Sequence, residues 1–136
     1  MGNFILHERL AADSLFITDL SLSECRLMNS REFPWLILIP KRPALLEWID
    51  LRKEDQILLL EEINLVSRVL KHSVPCEKLN LASFGNVVSQ LHIHLIARTS
   101  KDSAWPRPVF GEVCTPYSKE EAEARIQEFK NLLIDY

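Results

Sequence analysis

Hydrophobic residues recur along the chain at helical spacing in two segments. Between residues 52 and 72 the intervals alternate between four and three, which is typical of one face of an α-helix: Leu59, Ile63, Val66 and Leu70. Asp50 precedes this segment as a candidate N-cap. Near the C-terminus, Ser118 and Glu121 have the spacing of a capping box and predict a second helix. Its apolar positions repeat in the same way: Ala122, Ile126, Phe129, Leu133 and Tyr136.

Short apolar segments between turn residues predict five strands, at 15–19, 25–28, 35–39, 79–84 and 87–97. The third is a continuous apolar run, which is typical of a central strand, and it ends at Pro40. A short helix is predicted over residues 3–13, with Asn3 as its cap and three residues facing inward: Phe4, Leu6 and Leu10. Five strands joined by hairpins, a long helix between the third and fourth strands and a C-terminal helix predict an α+β domain.

Length and composition restrict the class of protein. The 136 residues are enough for a single domain over 1–136, and 47% hydrophobic with 26% charged residues is ordinary for a globular chain. With 16 basic and 19 acidic residues the net charge is −3, which disfavours a nucleic-acid partner. No apolar run approaches the roughly 20 residues of a membrane span. We expect no signal peptide, no membrane association and a cytoplasmic location, where the three cysteines would stay reduced.

The candidate chemistry lies in the predicted strand 87–97. Side chains alternate between the two faces of a strand, so Gln90, His92 and His94 are predicted to share one face. Neighbouring members would be about 6.6 Å apart, close enough for one phosphate to contact both imidazoles. The pattern is compatible with three interpretations: a polar solvent face, a metal site or a nucleophilic site. A catalytic zinc site needs a third ligand, and the remaining histidines have no recognised ligand spacing: His7 and His72.

Several segments, in order, resemble the histidine triad (HIT) family. Residues 90–96 resemble its signature H-φ-H-φ-H-φ-φ, where φ is apolar, with glutamine at the first triad position. Gly85-Asn86 resembles the Gly-Gln that precedes the triad strand. Residues 27–29 and 34–38 are similar to the family's L-x-N turn and its second apolar strand. Residues 102–111 resemble the D-x-A-W-P-x-P-V-x-G stretch of a bacterial branch that also carries glutamine first.

The resemblance implies a HIT-like fold and a nucleotide hydrolase or nucleotidyl transferase that needs no metal or cofactor. His92 would attack the α-phosphorus and form a nucleotidyl-histidine intermediate, which water then hydrolyses. His94 and Gln90 would hydrogen-bond phosphate oxygens, with Asn86 standing in for the family's amide near the phosphate. The implied substrates are purine nucleoside phosphoramidates or dinucleoside polyphosphates.

The same resemblance implies the nucleoside pocket and the assembly state. Asn29 would hold the ribose hydroxyls, and Leu27 and Ile37 would line the base and sugar pocket. Trp105 would either pack within its loop or form an aromatic wall over the base. A homodimer through the long helix and the central sheet is implied.

Three positions depart from the family pattern. Gln90 cannot deliver a proton as an imidazolium can. Trp35 replaces a histidine that normally neighbours the first triad residue, so we expect the two changes to be linked through contact. Val87 replaces a hydroxyl residue near the phosphate. These departures leave open a nucleotide-binding module that has lost catalysis. The spacing of His92 and His94 leaves open a metalloprotein that uses both histidines.

Overall fold

The five predicted strands join in one antiparallel sheet. The computed structural model describes residues 2–135, so the predicted helix position Tyr136 lies outside the described residues. The strands are β1 (Ser14–Asp19), β2 (Ser23–Met28), β3 (Trp35–Pro40), β4 (Lys78–Ser83) and β5 (Ile93–Arg98). Their order in the sheet is β1-β2-β3-β5-β4. The helices are α1 (Glu8–Asp13), α2 (Lys53–Ser73) between β3 and β4, and the C-terminal α3 (Lys119–Asp135), which confirms the α+β prediction.

The central strands β3 and β5 are buried on both faces of the sheet, which explains why the sequence of β3 is a continuous apolar run. All six β3 residues are buried. On one face, Leu36 and Leu38 pack in a core with residues of α2 and α3. On the other face, Trp35, Ile37 and Ile39 form a second core with Leu10 of α1 and with loop residues. The second core is smaller, and the candidate chemistry lies on its side of the sheet.

The predicted N-caps of the first two helices, α1 and α2, both need correction. Residues 3–6 form no helix, and α1 begins at Glu8 because the His7 Nδ1 atom accepts a hydrogen bond from the Arg9 N–H at 3.0 Å. Asp50 does not cap α2. It belongs to a 3-10 turn, Trp48–Asp50, where its carboxylate accepts from the Glu47 N–H at 2.9 Å. The N-cap position of α2 is Arg52, which has no side-chain capping bond.

The predicted strand over 87–97 is shorter than expected. Regular β5 begins at Ile93, and residues 84–92 form an irregular loop after β4. The predicted capping box at α3 is confirmed, since Ser118 Oγ accepts from the Glu121 N–H and the Glu121 carboxylate accepts from the Ser118 N–H, both at 3.1 Å. Within residues 2–135, no helix is both long and apolar enough to cross a membrane.

Candidate active site

The two histidines of β5 and its preceding loop border a cleft of about 540 Å³ on the second-core side of the sheet. Its walls come from α1, the end of β2, the loop between β4 and β5, and residues 109–116. A larger cleft of about 710 Å³ lies between the β1–β2 turn, α2 and α3. No histidine borders that larger cleft, whereas both His92 and His94 border the first, which is therefore the candidate active site.

His92 is oriented by the backbone. Its Nδ1 atom lies 2.7 Å from the Gln90 carbonyl oxygen. Because a carbonyl can only accept, Nδ1 must carry the proton, and Nε2 keeps its lone pair. Burial lowers the pKa of His92; the Gln90 hydrogen bond opposes this shift, and the nearby charge of His7 adds to it. The ring is therefore neutral at pH 7, which is the state in which imidazole is nucleophilic.

His94 has the opposite tautomer. The Trp35 indole Nε1–H donates to His94 Nδ1 at 3.0 Å. Indole nitrogen can only donate, so Nδ1 of this ring is unprotonated and Nε2 carries the hydrogen. Burial, together with repulsion from a charged His92, lowers the pKa of His94 to about 3. His94 therefore remains a neutral N–H donor throughout the physiological range.

The burial of His94 predicts a loss of stability in mild acid. Its folded pKa lies below the unfolded value near 6.5, so the unfolded state binds a proton that the folded state does not. Stability is then fully present above pH 6.5 and falls as the pH drops towards 3, by about 1.4 kcal/mol per pH unit for each such proton. We expect urea unfolding at pH 5 to show a lower free energy of unfolding than at pH 7.

A matched pair of variants tests the assignment to His94. His94→Gln keeps an acceptor for the Trp35 indole but cannot titrate, so its loss between pH 7 and 5 should be smaller by about 1–2 kcal/mol. His72→Gln alters an exposed histidine on α2 and should retain the full wild-type loss. An equal pH dependence in wild type and His94→Gln would contradict the prediction.

The two rings are close and complementary. Their centroids are 4.8 Å apart and their planes are tilted by 75°. Each side chain is only 5% exposed. Within the same cleft, one ring offers a lone pair and the other offers an N–H. A lone pair can attack a phosphorus, and an N–H can stabilise the oxygens bonded to it.

Aromatic residues and Asn29 form the two sides of the cleft. Phe110 packs its edge against His94 at 4.9 Å between centroids, and Phe84 stacks on Phe110 at 5.1 Å. Asn29 follows β2, and its Oδ1 atom accepts from the Tyr117 N–H at 2.9 Å. Since β5 lies between β2 and β4 in the sheet, the histidines separate an Asn29 side from a Phe84 side.

Gln90 does not join the two histidines, contrary to the alternation argument. Its Oε1 atom accepts from the His7 N–H and its Nε2 atom donates to the Ile5 carbonyl oxygen, both at 2.8 Å. The alternation fails because residue 90 lies in the loop before β5. Gln90 does not border the histidine cleft.

Two predicted pocket residues are in the core instead. Leu27 is fully buried on the face that packs against the helices, so its neighbour Met28 borders the cleft. Ile37 faces the correct side of the sheet, but it is fully buried in the second core. Strand alternation determines the outcome for Leu27, and packing within the second core determines the outcome for Ile37.

Two further predicted residues lie outside the cleft. Asn86 is exposed in the loop after β4, between the cleft residues Phe84 and Val87. Trp105 packs on the Arg98 guanidinium, whose carbon lies 5.8 Å from a ring centroid, and it does not border the cleft. This contact is the one that the loop-packing interpretation of Trp105 expects.

Sequence reasoning missed the role of Trp35. It expected contact with Gln90, but Trp35 bonds His94 while Gln90 bonds residues 5 and 7. The expected link through contact is therefore wrong. Trp35 pairs with Ile96 of β5, and His94 lies two residues before Ile96 on the same face of the strand. The sequence could indicate this contact only once the order of strands in the sheet was known. Among residues 2–135, no three His, Cys, Asp or Glu side chains cluster as metal ligands would.

The fold and the paired imidazoles define an α+β protein of the histidine triad type. The sequence profile of the HIT domain matches residues 9–101, so the chain belongs to the HIT family. This family generally contains nucleotide hydrolases and transferases, which supports a nucleotide-binding or hydrolytic role. No curated protein matches the chain.

Solved structures of histidine triad proteins are similar to this chain over more residues than the HIT profile matches. A histidine triad protein from Bradyrhizobium japonicum is 41% identical, with 97% of this chain and 99% of that chain covered and a TM-score of 0.94. One from Sinorhizobium meliloti is 42% identical, with 94% and 96% covered and a TM-score of 0.92. One from Marinobacter aquaeolei is 38% identical, with 98% of each chain covered and a TM-score of 0.95. Similarity over nearly the whole chain confirms the HIT-like fold.

Proposed function

We propose that this protein is a nucleotide hydrolase or nucleotidyl transferase that cleaves a purine nucleotide derivative at its α-phosphate through a nucleotidyl-histidine intermediate. Candidate substrates are nucleoside phosphoramidates and dinucleoside polyphosphates. The observation that carries the proposal is the opposite orientation of the two rings, with a lone pair on His92 Nε2 and an N–H on His94 Nε2.

The first step joins the nucleotide to His92. The Nε2 lone pair forms a bond to the α-phosphorus, and the bond to the leaving group breaks with its electron pair on the departing oxygen, or on a departing nitrogen that takes a proton from solvent. The ring becomes cationic, and the bond from Nδ1–H to the Gln90 carbonyl stabilises that charge. His94 donates from Nε2 to a non-bridging oxygen as negative charge develops there.

The second step releases the product. Water attacks the phosphorus, the P–N bond breaks with its electrons returning to His92 Nε2, and the nucleoside monophosphate leaves. The water proton passes to solvent or to the departed leaving group. In a transferase, another nucleophile replaces the water.

The two sides of the cleft suggest how the substrate lies. The ribose would bind on the side of Asn29, whose amide is fixed by Tyr117. The leaving group would lie towards Phe84 and Phe110, and the phosphate between them at the imidazoles. Asn86 is exposed beside the cleft residue Val87, so we assign it a supporting role near the phosphate.

The proposal is tested by nucleotide release from a panel of substrates. Adenosine phosphoramidate and diadenosine polyphosphates are incubated with the protein, and adenosine monophosphate is separated by chromatography. We expect release from at least one member of the panel. Tight binding of adenosine monophosphate with no turnover of any member would contradict the catalytic proposal.

A second candidate function is a nucleotide-binding module with weak or lost catalysis. Two observations favour it. The Gln90 side chain is hydrogen-bonded outside the cleft, and the apolar Val87 borders the cleft, so fewer donors remain for the phosphate. Calorimetric binding of adenosine monophosphate, measured beside the release assay, separates the two candidates.

We also propose a cytoplasmic homodimer. Apolar side chains are exposed on α2 and on the edge strand β4, and these surfaces would associate across a two-fold axis: Ile57, Leu60 and Leu81. The thiols of the three cysteines are free, which suits a reducing compartment. Sedimentation equilibrium would give the mass of the assembly, and a monomer at micromolar concentration would contradict the dimer.

Trp35→Phe is expected to lower turnover about tenfold, because it keeps the aromatic packing and removes the donor that fixes the His94 tautomer. The buried Nδ1 atom would be left without a partner, so the free energy of unfolding should also fall by about 1–3 kcal/mol. Steady-state kinetics and urea unfolding measure the two effects. Trp48→Phe, in the exposed 3-10 turn, is the matched control and should change neither. Unchanged turnover in Trp35→Phe would contradict a role for the indole.

A further inference from the structure

The side chain of Gln90 connects two segments that are far apart in sequence. Its amide oxygen and nitrogen bond the backbone of His7 and Ile5, respectively, so both ends of the amide are used on one short stretch of chain. A glutamine amide that both donates to and accepts from backbone groups holds a segment in one register. Gln90 therefore fastens the N-terminal segment, residues 3–7, to the loop before β5.

The N-terminal segment is also held by apolar contacts on the cleft side of the sheet. Phe4 and Leu6 pack against the second core, which includes Trp35 and Val88. Val88 is buried two residues before Gln90 and borders the cleft. The segment therefore packs on the same core as the loop before the nucleophile and is hydrogen-bonded to that loop through Gln90.

The backbone of the same residue orients the nucleophile. The Gln90 carbonyl oxygen accepts from His92 Nδ1 at 2.7 Å and so places the lone pair on Nε2. The carbonyl lies outside β5, in the irregular loop that precedes the strand. The position of this loop carbonyl therefore depends on the hydrogen bonds that the Gln90 side chain makes to residues 5 and 7.

We propose that Gln90 is a positioning residue, whose side chain docks residues 5–7 and thereby holds the carbonyl that fixes the tautomer and aim of His92. The inference rests on the proposed function for its kinetic consequence. It replaces the sequence-based role of Gln90 as a donor to phosphate with a role at a distance from the substrate. The N-terminal segment becomes part of the support of the active site.

The first test compares Gln90→Met with Gln56→Met. Methionine has a similar length and lacks both hydrogen bonds. Gln56, on α2, makes a comparable bond from its side chain to the Leu51 carbonyl oxygen. We expect Gln90→Met to lower kcat roughly 10- to 100-fold with little change in KM, because misplacement of a reacting group costs rate more than binding. Gln56→Met should retain wild-type kinetics.

The second readout is the tautomer itself. Nitrogen-15 NMR of the imidazoles distinguishes a protonated Nδ1 from a protonated Nε2. Wild type and Gln56→Met should show His92 protonated at Nδ1, and Gln90→Met should show a mixture of tautomers. This measurement needs no substrate, so it tests the docking role even if the release assay finds no turnover.

The third test removes the contact from the other side. His7 has a φ of −57°, which proline can adopt, so His7→Pro deletes the N–H that Gln90 accepts from. His7→Ala keeps that N–H and loses the same imidazole. Turnover in His7→Pro should therefore be lower than in His7→Ala. The double variant His7→Pro/Gln90→Met should be no slower than Gln90→Met alone, since both changes break one contact.

The outcomes separate this inference from the proposed function. If wild type turns over substrate, and Gln90→Met has the same kcat and the same His92 tautomer, the positioning role is overturned and the proposed function stands. A loss in Gln90→Met that is fully additive with His7→Pro, with the tautomer unchanged, would indicate direct action of the amide on substrate and would also overturn it.

Discussion

Replacing His92 with alanine is expected to reduce nucleotide release by at least about 10³-fold, which is the scale of losing the nucleophile in an enzyme with a covalent intermediate. The ring is neutral, its Nε2 lone pair is free, and no other side chain in the cleft has the same arrangement. His94 cannot substitute for it, because the Trp35 indole occupies its only unprotonated nitrogen.

The kinetics of His92→Ala need two controls, one for correct folding and one for the loss of a histidine elsewhere in the chain. His72→Ala removes an exposed imidazole from the end of α2 and should keep the wild-type rate. Circular dichroism and urea unfolding should show that His92→Ala remains folded. Wild-type rates in a folded His92→Ala variant would show that the nucleophile has been misassigned.

Asp102→Ala is expected to lower the free energy of unfolding by about 3–5 kcal/mol, because it would leave a buried guanidinium without its countercharge. Arg98 is only 2% exposed, and its Nε and Nη2 atoms donate to both carboxylate oxygens of Asp102, at 2.7 and 3.0 Å. Its other bonds go to Asn80 Oδ1 and the Arg107 carbonyl oxygen, both at 2.8 Å, and neither partner carries negative charge.

Urea unfolding at pH 7 measures the effect of Asp102→Ala. Glu128→Ala breaks the exposed pair between Arg125 and Glu128 on α3 and should cost no more than about 1 kcal/mol. A loss for Asp102→Ala as small as that of Glu128→Ala would contradict the assigned importance of the buried pair.

The Arg98–Asp102 pair also explains the sequence motif over residues 102–111. Asp102 Oδ1 accepts from the backbone N–H of Ala104 and of Trp105, at 3.1 and 2.8 Å, which folds the loop back on itself. The same loop carries Phe110 to its place against His94. The motif therefore supports the wall of the cleft, and its tryptophan covers the buried guanidinium.

The fold was largely predictable because the sequence signals were local. Apolar segments between turn residues predicted the five strands, although the fifth begins six residues later than expected. Helical spacing predicted the two longer helices, and the capping box indicated the start of α3. The errors fell where a competing local contact decides the outcome. The His7 side chain starts α1 later than Asn3 would, and Asp50 bonds Glu47 within a 3-10 turn.

The candidate site was predictable only in part, because it depends on contacts between distant segments. His92 and His94 share the cleft as the spacing indicated, and Asn29 borders it. The docking of Gln90 on residues 5 and 7 spans more than 80 positions of sequence, and no periodicity encodes it. Strand register likewise decided that Met28 rather than Leu27 reaches the cleft.

The most direct test of the central claim is to trap the covalent intermediate. The protein is mixed with its best substrate, quenched within milliseconds and digested under conditions that preserve phosphoramidate bonds, and the peptide that contains His92 is analysed by mass spectrometry. We expect a fraction of that peptide to carry one nucleotidyl group, and none to do so in His92→Ala. Rapid monophosphate release without any adduct at His92, or with the adduct on another residue, would contradict the mechanism.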